Sequence, residues 1–324
     1  MPDRALTLKW LALSFAALCL MVGAFWAGLI LAPEKGAETR ANSDVFATAP
    51  ITARPDSVSV FPCTSATRFE NPYAPCLLII AGGKRLVFGA PDGQSWQSIG
   101  FVDAAFLYNG HPVSSGGLMG LRHQTWRDGR DQPLLVVAGD LQVDALTLLD
   151  DAQASADALL KVEHSNRLDF RNAGVTIKPV PIQSGTFRVF DTGDLKVFAS
   201  SSVSNTGDQI IVYDILYSGK RIRFLPCDGA LPAEPADIVI RPTAETASLT
   251  ELIRGANRDR RYADLVDLQR LARTCPTLRD AIDEAAEIGA SKLIVVHALR
   301  DADIRIGAQE VDVIQLGRDG VRDL

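Results

Sequence analysis

The chain has 324 residues, of which 47% are hydrophobic and 22% are charged, a composition that supports a sizeable buried core. Its formal net charge of −6 provides no basic surface for phosphate backbones, which excludes nucleic acid as an expected partner. One main globular domain is therefore predicted.

The first predicted element is an apolar helix near the amino terminus. Residues 10–33 carry no charge, and a helix of this length reaches roughly 36 Å, against a hydrocarbon core about 30 Å thick. A cleaved signal peptide is the alternative, but its apolar core is usually about 7–15 residues long, and no small-x-small cleavage site follows here. We therefore predict that residues 1–33 form a cytoplasmic stub and a single-pass transmembrane anchor.

The charges that flank this segment suggest its orientation. Arg4, Lys9 and the amino terminus precede it, whereas Lys35 and Arg40 follow it, so the bias toward an inside amino terminus is small. In a bacterium, this orientation places the protein in the cell inner membrane with its carboxyl-terminal domain in the periplasm. Cysteines can oxidise in that compartment.

A flexible tether is predicted after the anchor. Residues 34–56 are rich in Ala, Thr, Asn and Pro and have no apolar period, so the folded domain is predicted over residues 57–324. Cys63 and Cys76 end and begin successive apolar runs, which allows a disulfide. Free buried thiols are the equal alternative.

The rest of the chain alternates between strand-like and helix-like patterns. One sheet is predicted from residues 58–61, 77–80, 85–88 and 104–108, followed by a strand at 134–138 and helical spacing at 141–158. A second sheet is predicted from residues 175–180, 186–189, 196–199, 209–216, 221–225 and 238–240. A helical hairpin at about 247–274, a helix at 277–288 and strands at 292–296 and 311–316 complete the chain. These elements predict a layered α/β sandwich.

The segment LYNGHPVSSGGLMGL, residues 107–121, resembles a pattern of the metallo-β-lactamase superfamily. In that pattern a strand runs into Thr-His-x-His-x-Asp-His-x-x-Gly-Leu. Alignment on the Gly-Leu end puts Asn109 and His111 at the first two histidines. Val113 then stands at the aspartate and Ser114 at the third histidine, so His111 is the ligand retained in this segment.

Other segments resemble landmarks of the same superfamily in the same order. They are PCTSATR from Pro62, LVFGAPDG at 86–93, QPLLVVAGD from Gln132, FLPCDGA at 224–230, ADIVIRPTA at 236–244 and CPTLRDAIDEAAEIGASKLIVVH at 275–297. Gly89 stands where the family usually has an aspartate. Asp228 stands at the metal-bridging position, and His297 stands at the last histidine. The order and spacing over residues 58–324 resemble the ribonuclease Z and arylsulfatase-like branch.

The resemblance implies a four-layer αββα sandwich, here preceded by the predicted transmembrane helix. Hydrolysis in this family uses one or two zinc ions that activate a water and that need several converging histidine and carboxylate ligands. This chain keeps His111, Asp228 and His297 as residual metal positions. Val113 can neither ligate a metal nor accept a proton, so its presence dismantles the second metal site.

Further positions implied by the resemblance are also replaced. Asn205, or Ser204, stands where a later histidine is expected. Pro242 stands at the glutamate, and Cys275 at the histidine, of the acid/base pair of the ribonuclease Z branch, so no general acid is evident there. Cys227 borders the same pocket as Cys275, and the two leave open a Cys-His metal site or a disulfide that seals the pocket.

Two functions remain after this comparison. The first is a membrane-anchored pseudoenzyme that acts as a binding or scaffold module without a cofactor. Its contact surface is the old cleft or the helical hairpin, for a protein partner or a small ligand. The second is a metal-dependent hydrolase of phosphodiester or sulfate-type esters with a remodelled single-metal site for zinc or manganese, since two histidines and one carboxylate form a known catalytic arrangement. His123 and His164, among polar neighbours, are predicted at the surface.

Overall fold

The computed structural model describes residues 51–54, 56–63, 75–92, 96, 99–164, 167–204, 207–244, 246–296, 311–316 and 320–324, without the side chains of 112, 113, 246–248, 264 and 267. The predicted anchor, residues 1–33, and the tether up to residue 50 lie outside this description. Within the described residues, no helix combines the length and apolar character needed to cross a bilayer. The anchor therefore stays a prediction from the sequence.

The first sheet contains six described strands. In spatial order they are β1 (Val58–Pro62), β2 (Leu77–Ala81), β3 (Lys84–Phe88), β4 (Ala104–Phe106), β5 (Leu134–Gly139) and β6 (Val175–Val180). β1, β2 and β3 are antiparallel, whereas β3 to β6 are parallel. The β2–β3 turn uses Gly82 and Gly83, whose φ angles of 56° and 71° cost glycine no steric strain.

The second sheet contains seven described strands. They are β7 (Thr186–Asp191), β8 (Lys196–Val203), β9 (Gln209–Tyr217), β10 (Lys220–Phe224), β11 (Ile238–Pro242), β12 (Lys292–Val296) and β13 (Asp312–Gln315). β7 to β10 are antiparallel, and β10 to β13 are parallel. The prediction that residues 175–180 belong to this sheet is wrong. Those residues pair in parallel with β5 because the helical connection after β5 returns the chain to the first sheet.

The described helices lie between the strands. They are α1 (Pro112–Ser115), α2 (Leu118–Arg127), α3 (Val143–Asp151), α4 (Ala154–Glu163), α5 (Thr246–Arg258), α6 (Tyr262–Thr274) and α7 (Leu278–Glu287). α5 and α6 lie where the helical hairpin is predicted. α7 begins with a capping box in which Thr277 and Asp280 satisfy each other's backbone N–H groups. α1 and α2 have no counterpart among the predicted elements.

The two sheets face each other across an aromatic core between two helical layers. Phe88 of the first sheet stacks on Phe106 at 4.7 Å between ring centroids and meets Phe224 of the second sheet at 5.6 Å. On the outer face of the first sheet, apolar residues of α2 and α3 share a buried cluster with its strands. On the outer face of the second sheet, α7 does the same. The order of layers is therefore helix, sheet, sheet, helix, as the resemblance implies.

Both pairs of cysteines form disulfides. Cys63 at the end of β1 is bonded to Cys76 at the start of β2, with their Cα atoms 5.3 Å apart. Cys227 after β10 is bonded to Cys275 at the end of α6, with a Cα separation of 4.3 Å. The second bond ties the helical hairpin to the loop that carries Asp228. It also removes both thiols as metal ligands, because a disulfide sulfur is no longer a thiolate.

A buried ion cluster holds the helices over the first sheet. The Arg122 side chain is 1% exposed, and its guanidinium contacts Asp157 at 2.7 Å and Asp150 at 2.6 Å. His123 lies 3.0 Å from Asp157 and is only 22% exposed. The prediction of His123 as a surface residue is thus wrong, because its ring folds back onto the carboxylate that neutralises Arg122. His164 is half-buried at the end of α4.

We expect Asp157→Ala to lower the free energy of unfolding by about 3 kcal/mol, because it removes one carboxylate from a buried guanidinium. Urea unfolding followed by tryptophan fluorescence, with the disulfides intact, measures this change. Asp259→Ala is the matched control, because it breaks the exposed pair with Arg258 and is expected to leave stability close to that of the wild type. Equal effects of the two variants would contradict a stabilising role for the cluster.

Candidate functional site

The segment that resembles the superfamily pattern lies at one end of the first sheet. It leaves β4 after Phe106, passes through α1 and enters α2. Gly117 packs against the neighbouring strand end, where a Cβ atom would lie 2.1 Å from the Pro91 carbonyl oxygen. Its N–H donates to the Ala90 carbonyl at 2.8 Å. Close packing therefore requires the glycine of the pattern at this position, although most metal ligands of the pattern are replaced.

Two of the replaced ligand positions hydrogen-bond to each other. Ser114 is 2% exposed and Asn109 is 7% exposed. The Ser114 hydroxyl lies within hydrogen-bonding reach of Asn109 Oδ1 and of the His111 carbonyl oxygen, the latter at 2.9 Å, and Asn109 Oδ1 also accepts from the backbone N–H of His111 at 3.2 Å. The loop therefore satisfies its own buried polar atoms. In the superfamily pattern, the same two positions carry histidines that point at a metal.

The buried ring of Tyr108 lies beside this loop. Tyr108 is 3% exposed, packs on Phe224 with ring centroids 5.5 Å apart, and donates its hydroxyl to the Pro75 carbonyl at 3.2 Å. Gly89 adjoins it at φ 78°, and a Cβ atom there would lie 2.7 Å from the Tyr108 ring. An aspartate at position 89 is therefore incompatible with this ring position. Burial raises the pKa of Tyr108 far above its usual value, so the phenol is neutral at physiological pH.

Asp228 lies in the loop after β10, on the second sheet. It is half-buried, and the buried guanidinium of Arg241, at the end of β11, lies close to it. Arg241 donates to the Pro226 carbonyl at 2.7 Å and pairs with Glu284 of α7 at 3.0 Å. Burial lowers the pKa of Arg241, whereas the charges of Glu284 and Asp228 oppose that shift. A fixed positive charge of the protein therefore stands near the carboxylate that would bridge metals in the family.

The helical hairpin approaches the same region. The positive charge of Arg270 in α6 lies near enough to Tyr108 to oppose the increase in the pKa of the phenol that burial causes. The Cys227–Cys275 disulfide joins the hairpin to the loop that carries Asp228. Apolar residues of both hairpin helices form a buried cluster with Ala244. The hairpin thus lies beside the loop that carries Asp228.

Three further positions from the superfamily pattern lie outside what the structure describes. His297 and Asn205 lie outside the described residues, as does the side chain of Val113. His111 is half-buried and lines a pocket. Over the described part of the chain, no group of three or more His, Cys, Asp or Glu side chains is arranged to hold a metal ion.

The donor set that is described does not fit the zinc centre of the superfamily. Asn109 Oδ1 is engaged by Ser114 and His111, and the Ser114 hydroxyl is directed to that oxygen. Cys275 is consumed in a disulfide. A binuclear centre needs several free imidazole and carboxylate groups that converge on each ion, and these positions do not offer them.

A pocket of about 540 Å³ opens beside His111. Its apolar wall consists of Leu118, Met119, Leu141, Ala145, Leu146 and Leu149. Its polar wall consists of His111, Ser115, Gln142, Asp208 and Gln209. The volume lies within the range of roughly 300–1,000 Å³ that is usual for small-molecule sites.

One wall of the pocket contains Leu141, just before α3, and Leu149 of α3. These two side chains are 65% and 50% exposed, and Leu148 beside them, outside the pocket lining, is 69% exposed. Their helical spacing predicts an amphipathic helix with this face against a core. In the structure Leu146 is the buried apolar residue of α3, so the face that the spacing identifies is turned toward the pocket and the solvent.

Sequence reasoning missed the two glutamines of the pocket wall. Gln142 is 8% exposed, and neither end of its amide has a hydrogen-bond partner among the described residues. Gln209 is 3% exposed, and its Oε1 also lacks a partner there. A buried polar atom left unpaired costs about 1–3 kcal/mol. No motif marks these glutamines, because the structure alone brings the start of α3 next to the β8–β9 turn.

Known proteins match this chain in structure but not in sequence. No protein-family model and no curated protein sequence matches the chain. Among solved structures, a long-form RNase Z from yeast is 11% identical, with 83% of this chain and 41% of that chain covered and a TM-score of 0.50. This chain thus spans less than half of the yeast protein.

Two further structures match at similar levels. A human short-form tRNase Z is 14% identical, with 74% of this chain and 91% of that chain covered and a TM-score of 0.48. A diphosphatase of the PhnP family is 12% identical, with 74% and 85% covered and a TM-score of 0.44. Likeness at such low identity concerns the fold alone. The likeness to the yeast RNase Z, together with the two facing mixed sheets and the outer helices, shows that this chain shares the fold of that protein, the layered αββα arrangement that the resemblance to the metallo-β-lactamase superfamily implies.

Proposed function

We propose that this chain is a membrane-anchored metallo-β-lactamase-fold protein that acts as a binding or scaffold module and not as a hydrolase. The single observation that supports this function is the buried hydrogen bond between Ser114 and Asn109. These positions would carry two metal ligands in the family pattern, and here they stabilise each other. The cleft keeps its shape and a 540 Å³ pocket while its catalytic groups are replaced.

Hydrogen-bond energetics disfavour a metal centre that uses Asn109 as a ligand. A metal that recruited Asn109 would have to break its hydrogen bonds to Ser114 and to the His111 backbone, at a cost of about 1–3 kcal/mol for each buried polar atom left unpaired. Tyr108 fills the floor next to Gly89. The retained carboxylate, Asp228, lies near the positively charged guanidinium of Arg241.

The alternative is a hydrolase of phosphodiester or sulfate-type esters with a single zinc or manganese ion. The shared fold supports it, since the yeast protein of the same fold is an RNase Z. So does His111, because it lines the pocket in which a substrate would lie. This alternative requires His111 and Asp228, together with His297, to converge on one ion.

Metal content separates the two functions. We expect the purified chain, equilibrated with zinc and then dialysed, to hold far less than one zinc per chain by elemental analysis, because Asn109 and Ser114 hydrogen-bond within the loop and leave too few ligands beside His111. We further expect no hydrolysis of bis-nitrophenyl phosphate with added zinc or manganese. His111→Ala should change neither result.

His164→Ala is the matched control for this experiment, because it removes a histidine outside the pocket. Stoichiometric zinc that is lost in His111→Ala and His297→Ala but kept in His164→Ala would establish the hydrolase alternative. Activity that follows the same pattern would do so as well.

We also propose that the domain is held at the inner membrane of a bacterium and faces the periplasm. The apolar segment of residues 10–33 supports the anchor. The two disulfides support an oxidising compartment, since structural disulfides are rare in the cytosol.

We expect the chain to resist carbonate extraction from membranes, and deletion of residues 2–33 to release it into the soluble fraction. A thiol-alkylation mass shift on the protein taken directly from cells should appear only after reduction. A mature protein that begins beyond residue 31 would instead demonstrate cleavage, and reactive thiols before reduction would contradict the periplasmic placement.

A further inference from the structure

We propose that the pocket beside His111 binds a small molecule with an apolar body and a cationic amine head. This inference rests on the proposed binding function and names the class of ligand. It is carried by three features of the pocket: an apolar wall with exposed leucines, an acidic charge, and the buried amide of Gln142, which has no partner among the described residues.

The apolar wall fits the body of such a ligand. Leu118 and Leu146 are the buried leucines of the pocket wall. Leu141 and Leu149 are 65% and 50% exposed to solvent. An apolar ligand that enters the pocket covers these exposed side chains, which stabilises the complex by removing apolar surface from water. The pocket volume of about 540 Å³ accommodates a molecule of drug-like size.

The charge of the pocket selects the head group. Asp208 is the carboxylate in the pocket wall, and no lysine or arginine occurs among the described lining residues. Asp140 and Asp144, both exposed, lie next to Leu141 and Ala145 on the same segment. This electrostatic environment favours a cation and disfavours an anion such as a phosphate ester.

The hydrogen-bonding groups of the pocket wall also favour an amine head group. Gln142 lines the pocket, and both Oε1 and Nε2 of its buried amide lack a partner among the described residues. An ammonium group supplies N–H donors and a positive charge together. The last torsion of a glutamine side chain is soft, so the Gln142 amide can turn its oxygen toward such a group.

The test compares three probes with the same apolar body: 4-phenylbutylamine, which is protonated at pH 7, neutral 4-phenylbutanol and anionic 4-phenylbutyrate. Titration calorimetry on the full chain should give an affinity for the amine at least tenfold higher than for the butyrate, with the alcohol between them. Asp208→Asn should weaken amine binding at least fivefold and leave the alcohol unchanged. Asp151→Asn, an exposed carboxylate outside the pocket wall, is the matched control.

Two further variants test the location. Ala145→Trp fills the pocket from the exposed helix face and should abolish binding of all three probes. Ala158→Trp adds the same ring at an exposed position of α4 outside the pocket wall and should leave binding intact. Unchanged thermal unfolding of each variant ensures that a loss of binding is not a loss of fold.

Binding of the butyrate as tight as that of the amine would overturn the proposal, and so would amine binding that survives Ala145→Trp. The failure of the underlying binding function is a different result. It would appear in the same preparation as stoichiometric zinc and hydrolysis of bis-nitrophenyl phosphate.

Discussion

The buried hydrogen bond between Ser114 and Asn109 constrains the rest of the site. It joins the two ends of the loop that, in the superfamily pattern, would present histidines to a metal. Because Asn109 Oδ1 also accepts the His111 N–H, the loop reaches its folded shape with its own polar atoms paired. Metal-dependent members of the fold obtain that organisation from an ion. In this chain the side chains of the loop bond to one another, and a pocket of about 540 Å³ lies next to it.

Neighbouring residues are consistent with this arrangement. Tyr108 occupies the floor only because position 89 is a glycine, and Arg241 places a positive charge near Asp228. The Cys227–Cys275 disulfide fixes the hairpin against the Asp228 loop. On the proposed function, these features supply the bulk, charge or cross-linking that a metal would contribute. They lie on different strands and loops, so they are separate replacements rather than one local change.

The fold was largely predictable from the sequence, and the site was not. Strands such as β12 follow from short apolar runs, and α7 follows from its capping residues Thr277 and Asp280, since these signals are local. The sheet to which β6 belongs depends on a helical crossover, which no local pattern records. The apolar spacing at Leu141 and Leu149 predicts a helix with this face against a core, whereas the structure turns the face toward the pocket and the solvent. The pairing of Ser114 with Asn109, and the unpaired amide of Gln142, depend on side-chain positions that only tertiary structure provides.

The central claim is that the old metal positions are closed by the protein's own hydrogen bonds while the cleft stays open. The most direct measurement is anomalous diffraction at the zinc absorption edge from crystals of this chain grown with zinc. The account predicts no anomalous peak between the His111 loop and Asp228, with Ser114 still bonded to Asn109. A fully occupied zinc ion bound to His111 and Asp228, with that hydrogen bond broken, would contradict it.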